Sequence, residues 1–283
     1  MLSCEQPLQP NASALMFGVN IIDEPILKVT NSTIYKTRAS DGTVHFLKVV
    51  DNWCIGNNLP GAQHPNIGRV IHHHKDQNII YLLMEPMIGS LYSQFMSMPK
   101  EGECQTMVDD PNVQMNIKFI FSQVLNVLYY LHGCDIYHYN LEPQSIFYTF
   151  HPDNMPEVKL FNFDCTTIHA GKECNTQQRF NLEKDNMQSF GISQYQVLIN
   201  QVSIVGGKQA IINEVLNDDS AFQHNYTPVV SEFMRGILHP EVEHRWSLAK
   251  ARTDFTLIDA FWLPRVTEDE PEYGPECEEC CGL

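Results

Sequence analysis

Positive charge is what this chain has least of: 18 Lys and Arg stand against 34 Asp and Glu, a formal net charge of −16. Gripping phosphates takes clustered cations, so nucleic acid and anionic membrane surfaces are excluded as principal partners. No apolar run approaches the roughly 18 residues of a membrane-spanning helix. Met1–Asn11 lacks the basic-plus-apolar pattern of a secretory signal. Nine cysteines, an odd number without regular spacing, suit a reducing compartment better than a disulfide framework. Internal repeats and low-complexity linkers are absent apart from the Pro10–Ser13 leader and an acidic tail, with seven acids in Glu268–Glu279. The expectation is a soluble, intracellular protein long enough for one two-lobed fold.

Metal-ligand patterns are also thin. Cys277-x-x-Cys280-Cys281 offers three thiolates, but a structural zinc site needs a fourth ligand and no second knuckle is evident. The tail is therefore expected to be disordered or loosely docked. His72-His73-His74 falls between two apolar runs, and strand alternation would send adjacent rings to opposite faces. A loop or strand end is expected there, and neither metal nor cofactor is expected anywhere.

What is present is concentrated in Tyr130–Asp164, YLHGCDIYHYNLEPQSIFYTFHPDNMPEVKLFNFD. This stretch resembles the catalytic loop and metal-binding strand of the protein kinase superfamily. Its apolar frame is kept at Tyr130, Leu131, Ile136, His138, Leu141, Pro143, Ile146, Val158, Leu160 and Phe163. On that resemblance the family's catalytic Asp falls on Asn140, its catalytic-loop Lys on Glu142 and its metal-binding Asn on Ser145. The metal-binding Asp falls on Asn162 and the following Gly on Asp164. Phosphoryl transfer needs a carboxylate to take the hydroxyl proton and carboxylates to hold Mg²⁺. An amide at Asn140 accepts no proton, Asn162 offers a hard cation only a neutral carbonyl, and Glu142 opposes a phosphate. The resemblance thus implies a kinase fold that transfers no phosphate. The weighed alternative is an atypical nucleotide-binding or weakly active Ser/Thr kinase with Asp164 as metal ligand.

Upstream residues point the same way. Thr33–Ala39 and Thr43–Val50 read as strands around the Asp41-Gly42 turn. They resemble the kinase glycine-rich loop and the strand of the phosphate-pairing lysine, but the three glycines fall on Leu27, Val29 and Ser32. Lys48 matches the lysine and is the one nucleotide-site residue retained. Asp51–Gln63 is rich in Asn, Gly and Pro and holds no Glu, so the regulatory helix is expected to be truncated or missing and the sheet beneath it exposed. Met84 would be the gatekeeper, Glu85–Ile88 the hinge, and Val113, Ile117, Phe121, Val124, Leu128 and Leu131 one face of a long central helix.

The resemblance assigns structural roles to His138, to Asp185 (bonding catalytic-loop backbone) and to a buried Arg245. No Ala-Pro-Glu follows the short Asn162–Lys184 segment, leaving Glu173 or Glu183 to pair Arg245. The expected fold class is α+β and two-lobed. Residues 1–26 form a leader, 27–88 a reduced antiparallel β-sheet lobe, 89–265 a helical lobe and 266–283 an acidic Cys-containing tail. Leu15–Ile22 is apolar enough to fold back over the helix gap. Leu47-Lys48-Val49, the curtailed helix and Gly89-Ser90-Leu91 together resemble the carboxy-terminal domains of the mitotic-checkpoint Bub kinase family, its degenerate BubR pseudokinase branch above all. That resemblance implies a scaffold with other proteins as partners, holding spindle-checkpoint and phosphatase components at kinetochores.

Overall fold

Asp41 and Gly42 turn the chain back on itself. Gly42 lies at φ 89°, where glycine alone is unstrained, and the Asp41 carboxylate accepts the Thr43 backbone N–H at 2.8 Å. The turn joins β3 (Ser32–Ala39) to β4 (Val44–Asp51). This computed structural model describes residues 10–22, 25, 27–29, 32–51, 63–96, 111–138, 141–150, 155–163, 167–168, 175–199 and 206–261. The first sheet is antiparallel in the order β1-β3-β4-β6-β5, built with β1 (Val19–Ile21), β5 (Val70–Asp76) and β6 (Ile79–Met84). β2 (Leu27–Val29) shares the β3 edge with β1.

Phe46 to Val50 are all buried, so β4 is covered on both faces. One face carries Leu47, Val49, Tyr81 and Leu83, and it is roofed by Ala14 of α1 (Pro10–Met16), by Val19 and by Phe17. The other carries Lys48, Val50, Ile80 and Leu82. Two expectations are corrected here. The leader covers the face opposite Lys48 rather than the helix gap, because its apolar side chains follow β1 onto the sheet edge. Nor is the sheet exposed beneath that gap, since Val50, Ile80 and Leu82 are each under a tenth accessible. Residues 52–62, where the truncated helix was expected, lie outside the described residues, as does the tail beyond residue 261. His72–His74 lie within β5, not in a loop, paired with Leu83, Leu82 and Tyr81 on the sheet's edge.

The second lobe is helical. β7 (Gly89–Ser90) and α2 (Leu91–Met96) lead to α3 (Pro111–Gly133), which starts at a proline and buries Ile117, Phe121, Val124, Leu128 and Leu131. β8 (Ile136–Tyr137), β9 (Ile146–Phe150), β10 (Pro156–Leu160) and β11 (Thr167–Ile168) follow. The helices α4 (Thr176–Leu198), α5 (Gly207–Leu216), α6 (Ala221–Asn225), α7 (Pro228–Ile237) and α8 (Leu248–Phe255) complete the lobe. Phe121 and Phe190 meet edge to face at 5.6 Å in its core. Among the described residues, no helix is long and apolar enough to cross a membrane.

The lobes are tied at His64–Ile67. The Asn66 amide donates to the Val158 carbonyl at 2.8 Å and to Gln123 Oε1 at 2.7 Å, and Gly68 N–H reaches the Leu160 carbonyl at 2.8 Å. A Cβ on Gly68 would fall 2.2 Å from the Phe161 ring, so this backbone approach requires glycine.

Candidate functional site

The cleft between the lobes is bounded by β4, by the connection Glu85–Ile88 and by the β9–β10 hairpin. Lys48 on β4 is 2 % exposed, and its Nζ donates to Asn162 Oδ1 at 2.9 Å, across the cleft. Asn162 holds φ 63°, a left-handed conformation that Asn tolerates better than most residues. Two residues far apart in sequence are thus brought together at the proposed nucleotide site. The contact joins an ammonium to a neutral amide, so the Asn162 side chain contributes no carboxylate for a metal.

Beside this contact the cleft is filled. Ile34, Phe46, Met84, Met87, Phe147 and Phe161 form one buried cluster drawn from both lobes and the connection. Phe46 meets Phe147 at 5.2 Å and 63°, and Phe147 meets Phe161 at 5.0 Å and 75°, both edge to face. Here, against Met84 and the connection, is where a nucleotide base would have to enter. Sequence reasoning missed all three phenylalanines, although each flanks an aligned position. Phe46 is two ahead of Lys48, Phe147 two beyond Ser145, and Phe161 directly before Asn162.

The loop that would cradle phosphates is contracted. Val29 pairs directly with Ser32, and Leu27 with Ile34, so residues at the three would-be glycine positions belong to a strand ladder. Only residues 30 and 31 lie between the paired strands, too few to arch over a triphosphate.

The catalytic-loop segment keeps its architecture. His138 is fully buried, and its Nε2–H donates to the Phe161 carbonyl at 2.7 Å while its ring meets Phe163 at 4.8 Å. Ser145 is buried and turned inward. Its hydroxyl donates to the Glu142 carbonyl at 2.7 Å and accepts the Glu142 N–H at 3.0 Å, closing the Pro143–Ser145 turn. That hydroxyl holds backbone rather than facing a cation. Burial raises the pKa of Glu142, opposed by Lys208 and by the Gln144 amide, which bonds its carboxylate. Asn140 and Asp164 lie outside the described residues.

Asp185 is corrected by one residue. The side chain that accepts the His138 backbone N–H is Asn186, at 2.9 Å, buried in the first turns of the long helix. Asp185 is 53 % exposed and sits 3.6 Å from Arg245. Counting five residues back from Gly191, the spacing of the helix motif, would have reached Asn186 rather than Asp185. Arg245 is buried as expected, donating to the Lys184 carbonyl at 2.9 Å and the His239 carbonyl at 3.0 Å. Lys184 Nζ returns the favour to the Arg245 carbonyl. Burial lowers the pKa of both cations. Glu183 does not pair Arg245; it accepts the Leu248 N–H at 2.7 Å. Glu173 lies outside the described residues.

The segment after Asn162 is shorter than expected, because α4 already begins at Thr176. Asn175 caps it, accepting the Gln178 N–H at 2.8 Å while the Gln178 side chain accepts the Asn175 N–H. The stretch ahead of Asp185 that would present a peptide substrate is therefore partly converted to helix.

A model of the protein kinase domain matches residues 56–255, starting beyond the strand that bears Lys48. The chain is 30 % identical over 122 residues to the probable serine/threonine-protein kinase fhkA of Dictyostelium discoideum, covering 42 % of this chain and 19 % of that protein. It is 25 % identical over 219 residues to serine/threonine-protein kinase dkf-2 of Caenorhabditis briggsae, covering 69 % and 17 %. An Aurora kinase of Candida glabrata is 23 % identical over 208 residues, covering 68 % of this chain and 54 % of that protein. The chain thus spans between about a fifth and a half of these curated relatives.

Proposed function

The chain belongs to the protein kinase family, and from that premise we propose that it is a pseudokinase, a catalytically silent domain that works through contact with other proteins. The observation that carries this reading is the packing of Phe46, Phe147 and Phe161 into the cleft. Three buried rings occupy the volume a purine needs, and separating them re-exposes on the order of 150–250 Å² per ring. The inward turn of Ser145, the amide at Asn162 and the contracted loop at Val29–Ser32 add to it. Each missing ligand weakens ATP·Mg binding by about 1–3 kcal/mol. With phosphoryl transfer gone, the function left to a two-lobed fold is a binding surface. Scaffolding of spindle-checkpoint and phosphatase partners at kinetochores is the specific form of the proposal, supported by the Bub-family likeness around Leu47-Lys48-Val49 and Gly89-Ser90-Leu91.

A second reading is favoured by two facts. The relatives named above are serine/threonine kinases, and Lys48 still points into the cleft at Asn162. On this reading the protein is an atypical nucleotide-binding or weakly active Ser/Thr kinase, with Asp164 as metal ligand. Thermal unfolding with and without ATP·Mg separates the two, together with autophosphorylation of the intact chain. The pseudokinase reading expects no nucleotide-dependent shift and no phosphate incorporation. A rise of several degrees lost in Lys48→Ala, or labelling lost in Asp164→Ala, establishes the second reading instead.

A further inference from the structure

The connection from α7 to α8 reads His239-Pro240-Glu241-Val242-Glu243-His244-Arg245, a spacing of ligand types that the kinase-like reading does not use. Its backbone is pinned at both ends. Arg245 Nε holds the His239 carbonyl at 3.0 Å, and the Trp246 N–H bonds the Gly236 carbonyl at 2.9 Å. Between them the His244 and Arg245 N–H groups converge on the Glu241 carbonyl, each at 3.1 Å, and the Glu241 N–H donates to His239 Nδ1 at 3.2 Å.

This frame throws three side chains together at the surface. One ligand atom from each of His239, Glu241 and His244 lies within 4.8 Å of the other two. His244 Nδ1 is 2.6 Å from Glu241 Oε2, and the two imidazoles stand 5.2 Å apart at 80°. His239 is half-buried, while Glu241 and His244 are exposed.

We propose that His239, Glu241 and His244 form a zinc site with an open coordination position. Two imidazoles and a carboxylate suit Zn²⁺ better than Ca²⁺ or Mg²⁺, which take oxygen donors almost entirely. Tetrahedral Zn²⁺ with bonds of about 2.0–2.2 Å sets its donors roughly 3.3 Å apart. The two exposed side chains reach that spacing by rotamer adjustment, with the backbone already fixed. Three protein ligands leave the fourth place to water. The formal net charge of −16 favours the approach of a divalent cation. Zinc would also clip the end of α7 to the strand of chain that delivers Arg245 to the core, so its binding stabilises the large lobe. The site is independent of whether the cleft binds nucleotide.

The test uses the full chain carrying Cys277→Ser, Cys280→Ser and Cys281→Ser, which removes the tail thiolates as competing ligands. Calorimetric titration with Zn²⁺ should show one equivalent bound, Co²⁺ should give the absorption of a tetrahedral centre, and Zn²⁺ should raise the unfolding temperature. His244→Ala and the near-isosteric Glu241→Gln should each weaken zinc binding by about tenfold or more, with far-UV circular dichroism unchanged. His72→Ala with His73→Ala should leave binding as it was. The proposal is overturned if the Cys→Ser background binds no zinc, if His244→Ala and Glu241→Gln bind as tightly as their parent, or if binding disappears with the His72 and His73 substitutions.

Discussion

Two sets of polar contacts reach the segment Ile136–Phe163, and they have fared differently. On the side facing the long helix, Asn186 accepts the His138 N–H, Ser193 donates to the Leu141 carbonyl at 2.7 Å, and Arg245 bridges the Lys184 and His239 carbonyls. On the side facing Lys48, an amide stands at Asn162, a serine is folded inward, and three phenylalanines close the cleft. The first set satisfies backbone groups that are buried whenever the chain is folded, so losing one costs stability whether or not any ligand exists. The second set has value only when a nucleotide and metal are bound. Without them, buried carboxylates around a cavity are a burden, and apolar filling is the more stable solution.

The comparison breaks most sharply at Phe147. Phe147→Ala should destabilise the protein by about 3–5 kcal/mol, read by chemical denaturation, because the ring is buried against two others. It should open a cavity without creating kinase activity. Recovery of ATP-dependent phosphorylation by this one change would mean that packing alone had silenced the site. On the architectural side Arg245→Met should cost about 2–4 kcal/mol, since apolar volume is kept but two buried carbonyls lose their donor. A cost below 1 kcal/mol, on the scale of a single exposed contact, would show that those carbonyls are hydrated and that the contrast between the two sides is overstated.

Much of this division was legible beforehand, for reasons that differ by residue. The frame from Tyr130 to Phe163 could be read because strand and helix periodicity place its apolar positions in the core whatever the chemistry. Lys48 was found through its register in the hairpin, and Arg245 through its motif. The filled cleft was not legible, since Phe46, Phe147 and Phe161 lie far apart in sequence and each alone reads as an ordinary core residue. Asn186 escaped because an exposed aspartate one position earlier satisfied the eye while the spacing to Gly191 did not. The early start of α4 at Thr176 depends on the reciprocal Asn175–Gln178 cap, a local signal that outweighed the expectation of a loop.

Acid should act on the architectural side before it acts on the cleft. His132, at the end of α3 with its ring 4.8 Å from Tyr137, is pushed by burial from 6.5 down to about 4, with Asn186 opposing part of that shift. The unfolded chain takes a proton near 6.5 while the folded one refuses it until about 4. Stability is therefore complete above the higher value and falls as pH drops between the two, by at most roughly 3 kcal/mol. Burial shifts His64 in the same direction, so its contribution has the same sign. Denaturation midpoints from pH 7.5 to 4.5 should follow this slope, and His132→Gln should flatten it. An unchanged slope in that variant would assign the acid sensitivity to other groups.

The smallest effect is expected where an active kinase would show its largest. Lys48 is buried and bonded to Asn162, so a charge has been taken out of water and given a neutral amide as hydrogen-bond partner at 2.9 Å. Exchanging such a buried cation for an apolar side chain of similar length is often neutral or stabilising, and the half-buried Asn162 amide can turn to solvent when its donor is removed. Lys48→Met should therefore change stability by no more than about 1 kcal/mol. It should also keep every partner that the unaltered chain captures from a cell extract. The same substitution in a working nucleotide site removes the phosphate-pairing cation and with it the activity. Denaturation and pull-down on the same pair of proteins read both consequences at once. Partners lost only in Lys48→Met, and restored to the unaltered chain by added ATP, would make the cleft a nucleotide switch and erase the distinction between its two sides.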